Sequence, residues 1–77
     1  MAAWPESTLG HYLLGVMAEM ERRPAEVEQH LARVVELDPA VDDAYVRLAG
    51  ALRTLGKTAD LERLRIRFQA QFNKPLR

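Results

Sequence analysis

A chain of 77 residues holds one domain at most, and such a domain is marginal because small folds bury only about 60% of the surface their unfolded chain exposes. It has no cysteine, which excludes disulfide or thiolate-metal staples and fits a reducing, cytoplasmic setting, so its 48% apolar content must act through helix packing or association. A net charge of zero hides two unlike parts: residues 1–52 carry nine acids against four bases, a net of −5, and residues 53–77 seven bases against two acids, a net of +5.

The N-terminal segment Met1-Ala2-Ala3-Trp4-Pro5-Glu6 has no basic stretch followed by an apolar run, so neither a signal nor a transit peptide is expected. The longest nearly uncharged stretch, 7–18, is too short to span a bilayer, and no membrane association is expected. A first helix is predicted to open at Trp4 or Pro5, since proline is favoured in a first helical turn and Glu6 complements the positive end of the helix. Leu9, Tyr12, Leu13, Val16, Met17 and Met20 follow helical spacing, with Leu14 and Ala18 on the flank. A stripe this wide needs more than one neighbour. Gly10 and Gly15 each cost about 1 kcal/mol of helix propensity, and Gly15 beside Leu14 predicts a tight crossing with another helix. Arg22-Arg23-Pro24 ends the segment.

Pro24 opens a second helix, with Glu26 and Glu28 near its positive end and Val27, Leu31, Val34 and Val35 as its buried stripe. Glu28, Gln29, Arg33 and Glu36 can face water, while His30 belongs cleanly to neither face. Asp38-Pro39 stops this helix and opens the next. Tyr45, Leu48, Ala49, Leu52 and Leu55 then mark one face of a third helix, closed by Gly56 as a left-handed cap. Thr58 is the expected N-cap of a fourth helix that has Asp60 and Glu62 in its first turn and buries Leu61, Leu64, Phe68 and Phe72. Asn73-Lys74-Pro75 ends it, and Leu76-Arg77 is expected to fray.

The two halves align at an offset of 34 residues: Leu14 pairs with Leu48, Gly15 with Ala49, Ala18 with Leu52, Ala25 with Ala59, Val27 with Leu61, His11 with Tyr45 and Val34 with Phe68. A two-helix unit of this period resembles the tetratricopeptide repeat, from about His11 to Asn73. Glu36-Leu37-Asp38-Pro39, Ala44-Tyr45, Leu48-Ala49, Leu52 and Gly56 carry the resemblance best. They stand where the family has its closing proline, first-helix aromatic, small close-packing residue and turn glycine. Departures fall at His11 (an aromatic is usual), Arg22 (the turn glycine), Leu61 and Phe68 (small residues) and Arg65 (a large apolar residue). The bulky departures suggest that the last helix packs as a terminal one. The expected fold is all-α: about four helices as stacked antiparallel helix-turn-helix pairs, repeat 1 over about 8–39 and repeat 2 over about 40–73 of a single domain.

The resemblance implies a protein-protein interaction module or scaffold whose first helices line a concave groove for a peptide or helix of a partner. Candidate groove residues are Leu9, Tyr12, Leu13, Val16 and Glu19 on one wall and Asp43, Val46, Arg47, Gly50 and Arg53 on the other. Arg47 and Arg53 would meet an acidic group. Apolar residues such as Tyr12, Leu13, Val16 and Met20 also have an ordinary reading as core. The family's clamp for acidic chaperone tails wants Lys and Asn where this chain has Tyr12 and Val16, so that ligand is excluded. Two repeats are fewer than the three that usually stand alone, which implies either a piece of a longer protein or completion by self-association into a homo-oligomer. The opposed charges and Met17 and Met20 favour the latter.

No catalytic constellation is expected, and no cofactor or metal: His11 and His30 lack a zinc motif, and Gly10 and Gly15 lack the spacing of a phosphate loop. Glu26, Glu28, Asp42 and Asp43 sit at helix starts, where the dipole accounts for them. Weak nucleic-acid binding through Arg63, Arg65, Arg67, Lys74 and Arg77 is the remaining alternative. Against it stand the neutral chain and arginines that do not share one helical face.

Overall fold

The computed structural model describes residues 8–76, and the expected opening at Trp4 or Pro5 lies outside them. Four helices follow in order: α1 (Thr8–Met20), α2 (Pro24–Leu37), α3 (Asp42–Leu55) and α4 (Thr58–Phe72). Each packs chiefly on the one before it, α1 with α2, α2 with α3 and α3 with α4, giving a stack of antiparallel helix-turn-helix pairs.

The 34-residue period is visible in the backbone. Pro24 and Thr58, which open the second helix of each pair, stand 34 positions apart, as do Arg22 and Gly56, both in the left-handed conformation. The hydrogen bonds at these two turns match. The N–H of Gly56 donates to Arg53 O and that of Lys57 to Leu52 O; the N–H of Arg22 donates to Glu19 O and that of Arg23 to Ala18 O. Both are helix ends closed by a left-handed residue that lets the next N–H reach back to a free carbonyl.

At Gly56 the φ of +73° is cheap, whereas Arg22 holds φ +60° with a side chain that crowds the carbonyl. Arg22→Gly is therefore expected to stabilise the fold by about 0.5–1 kcal/mol, the relief of strain exceeding the entropy glycine adds to the unfolded chain. A urea melt followed by circular dichroism reads this, and a lower midpoint would refute it.

Two expectations about helix ends need correction. Thr58 is not the N-cap of α4 but its first helical residue; Lys57 stands at the cap, with no side-chain cap bond. The chain leaves α3 through Lys57 N–H and enters α4 through the Lys57 carbonyl, which accepts from Leu61 N–H, so backbone alone makes the joint. Nor does Leu76 fray. Asn73, at φ +58°, receives its turn from an N–H donated to Gln69 O, and beyond it Leu76 is buried in the core. Asparagine tolerates the left-handed region better than most residues, and the apolar side chain repays the reversal by burial.

The core joins Val27, Leu31, Val34 and Val35 of α2 to Ala44, Tyr45, Leu48, Ala49, Ala51 and Leu52 of α3 and Leu61, Leu64 and Phe68 of α4. From α1 the only core apolar side chain is Ala18, beside the buried Gly15. Phe72 is half-buried against this core, and Tyr45 meets Phe68 and Phe72 edge-on, with centroids 5.4 and 5.5 Å away. These aromatics fill the wedge at the open end of α3, which accounts for the bulky residues of the second repeat. The Tyr45 hydroxyl donates to Pro39 O at 3.1 Å and ties the inter-repeat turn to α3, while Asp38 Oδ1 accepts from Ala40 N–H. In the first repeat the aromatic position is held by His11, whose ring lies 5.8 Å from that of His30 with both nitrogens buried.

Candidate partner-binding groove

Gly15 sets the geometry of α1. A Cβ there would lie 2.6 Å from Leu31 Cδ2, so the bare backbone lets α1 settle directly on α2. That close approach brings the flank of α1 alongside α3. There the Tyr12 hydroxyl donates to Asp43 Oδ2, Arg47 Nε donates to the same oxygen at 2.7 Å, and Arg47 Nη1 donates to Glu19 Oε1. The guanidinium also lies over the Tyr12 ring, 5.9 Å from its centroid.

This seam tunes its own charges. The Tyr12 hydroxyl, then the Arg47 guanidinium, holds the Asp43 carboxyl below the usual carboxylate range, and donating that bond to Asp43 pushes the Tyr12 phenol up. Arg47 is raised too, chiefly by Asp43. A lowered carboxylate stabilises the fold above its unfolded-state value and loses that contribution as the pH falls through the folded one, so the seam weakens in acid. Asp43 is half-exposed, and solvent keeps the contribution small.

The structure thus brings together four of the sequence-derived candidates, Tyr12, Glu19, Asp43 and Arg47. Val16 is half-buried next to this seam. Leu9, Leu13, Val46 and Arg53 are exposed. Arg47 is matched by two carboxylates of its own chain, whereas Arg53 makes no ion pair among the described residues. An acidic ligand would therefore find Arg53, one to two turns further along α3, and not Arg47.

Between the α1–α2 turn and α3 the groove deepens into a cleft of about 410 Å³ lined by Glu19, Arg22, Arg23, Val27, Gly50 and Thr54 among others. Pro24, Arg22 and Arg23 were legible only as a helix break, and their place in the cleft follows from the turn geometry. Arg23 pairs with Glu21 and Glu26. Arg22 projects from the left-handed turn and is exposed.

The basic C-terminal part is largely spoken for. Arg63 pairs with Asp60 and Arg65 with Glu62, while Arg67 Nη2 donates to Val35 O at 3.3 Å. Lys57 Nζ reaches Glu28 Oε1 at 2.8 Å, a bond that raises the lysine, and links α4 to α2. Of these bonds, only Lys57–Glu28 brings opposite charges of the two parts of the sequence together. Among the described residues no group of three or more His, Asp or Glu could hold a metal ion, and no helix is long and apolar enough to cross a membrane. Comparison with protein-family models, with curated proteins and with solved structures gives no match to this chain.

Proposed function

We propose that this chain is a protein-protein interaction module of the tetratricopeptide kind, holding a peptide or helix of a partner against the α1/α3 face. The observation that carries the reading is the seam itself. Tyr12, Glu19, Asp43 and Arg47 lock α1 beside α3 at the level of the side chains, and Leu9, Val16, Val46 and Gly50 remain along the face so formed. Apolar side chains on a face rimmed by charge suit an amphipathic segment, and Arg53 offers a carboxylate a cation that no described residue claims. Gly50 supports the same reading: a Cβ there would meet nothing within 4 Å, so glycine at that point leaves room over the groove that packing inside the molecule does not require.

The test is selection from a displayed library of helical and extended peptides, followed by titration against the wild type and Arg53→Glu. Selected sequences should pair apolar residues with an acidic one, and Arg53→Glu should weaken binding about tenfold or more, the worth of a charge-assisted hydrogen bond. Peptides whose affinity is indifferent to Arg53→Glu and to Val46→Asp would show that the ligand sits elsewhere.

A further inference from the structure

The outer face of α1 is the largest apolar surface left open: Leu9, Leu13, Leu14, Met17 and Met20 are 66, 52, 47, 54 and 78% exposed. The internal repeat shows what such a face is for. Thirty-four positions on, Leu14 becomes Leu48 and Met17 becomes Ala51, both buried. The clefts that flank α2 are lined by Val27 with Ala51 on one side and by Ala32 and Val35 with Leu48 on the other. On α3, then, these two positions lie under an antiparallel helix with an aliphatic face, whereas the counterparts of Leu9, Leu13 and Met20 are the polar Asp43, Arg47 and Thr54. On α1 the stripe has no helix over it among the described residues.

We propose that a second copy of the chain supplies that helix, its own α1, in an antiparallel α1–α1 pair about a two-fold axis between Leu13 and Leu14. Three observations choose this occupant. First, within α1 the only charged residue is Glu19, which is engaged by Arg47, so two such faces meet without like charges. A head-to-tail arrangement would instead put α1 on the outer face of α4, where Ile66 is the one large exposed apolar side chain and the Glu62–Arg65 pair stands beside it. Second, an antiparallel pair centred between Leu13 and Leu14 sets Leu13 against Leu14 of the second copy and Met17 over its Gly10. Gly10 brings no side chain of its own to the seam beneath the methionine. Third, the five side chains expose roughly 500–600 Å² per copy, so pairing covers about 1,000 Å² in total, the size at which specific interfaces begin. The pair takes Leu9 and Leu13 from the α1 wall of the groove and leaves Val46, Gly50 and Arg53 on the α3 wall uncovered, so a peptide defect from Arg53→Glu and a dimer defect from Met17→Glu are read separately.

The experiment is sedimentation equilibrium of the 77-residue chain from micromolar to millimolar concentration, at low and high salt. A dimer that persists in high salt is expected, because apolar burial is not screened. Leu13→Glu with Met17→Glu should raise the dissociation constant at least about tenfold while leaving the helical circular dichroism in place, since both side chains are exposed in the single chain. A second measurement does not depend on those variants: the chain has no cysteine, so Leu13→Cys should cross-link on mild oxidation and Ile66→Cys should not. A monomer at every concentration would overturn the proposal. So would a dimer that salt dissolves, a dimer indifferent to the two glutamates, or cross-linking through Ile66→Cys alone.

Discussion

Replacing Tyr45 by alanine is expected to cost the fold about 3–5 kcal/mol. The residue is 1% exposed, its ring is wedged against Phe68 and Phe72, and its hydroxyl holds the carbonyl of Pro39. Emptying an aromatic core site costs about 3–5 kcal/mol. A 77-residue domain has a total stability of only about 4–12 kcal/mol, so the loss consumes much or all of it. Tyr45→Phe separates the two parts of the effect, because it keeps the ring contacts and removes one hydrogen bond worth about 1 kcal/mol. Urea unfolding followed by circular dichroism gives both values. A cooperative Tyr45→Ala transition within about 1 kcal/mol of wild type would show that the aromatic wedge does not hold α4 on α3.

Gly15→Leu is expected to be the most damaging change in α1. Even a bare Cβ would stand 2.6 Å from Leu31 Cδ2 and 2.8 Å from Cγ, and Leu31 is fully buried. Overpacking of this kind costs about 1–3 kcal/mol, and a full leucine side chain falls at the upper end or beyond, which outweighs the roughly 1 kcal/mol of helix propensity regained. Pushing α1 outward would also part Tyr12 from Asp43. Gly50→Ala is the matched control. It sits in a helix interior with open space around its missing Cβ, and should stabilise by about 0.5–1 kcal/mol. If thermal melts showed Gly15→Leu stabilised as well, α1 would not cross α2 at Gly15.

The element order was readable because breakers and periods agree: Pro24, Asp38-Pro39 and Gly56 fall between stretches whose apolar residues recur every three or four positions. The stripe Val27, Leu31, Val34 and Val35 is buried as its spacing requires. Ala44 and Ala51 are buried too, yet alanine is common on any helix face, and only the presence of α2 singles them out. Lys57 escaped notice because capping rules look for a side-chain oxygen, whereas this joint is made by main-chain groups. Leu76 escaped because a residue beyond Asn73 and Pro75 is judged by its place at the end, while its burial depends on where the left-handed Asn73 points the chain. In the groove, each member of the seam could be proposed singly from helical position. Their mutual engagement could not, since it depends on how closely α1 approaches α3, a distance set by the packing of Gly15 on Leu31.

The order of packing, each helix chiefly upon its predecessor, also bears on how the chain reaches its native state. Contacts between sequence neighbours require only short loops to close, so assembly proceeds without a long search and falls among the rapid folders, in the microsecond to millisecond range. The fully buried side chains Leu31, Val34, Val35, Ala44, Tyr45 and Ala49 belong to α2 and α3, so the central pair is the natural nucleus. α1 gives this nucleus only Ala18, the buried Gly15 and the flank of Tyr12, so its hold rests on the close approach to α2 and on the polar seam. Opening of α1 on its own would dismantle the groove wall and carry off the outer apolar stripe at once, which makes the occupancy of either surface a direct control on the lifetime of this helix.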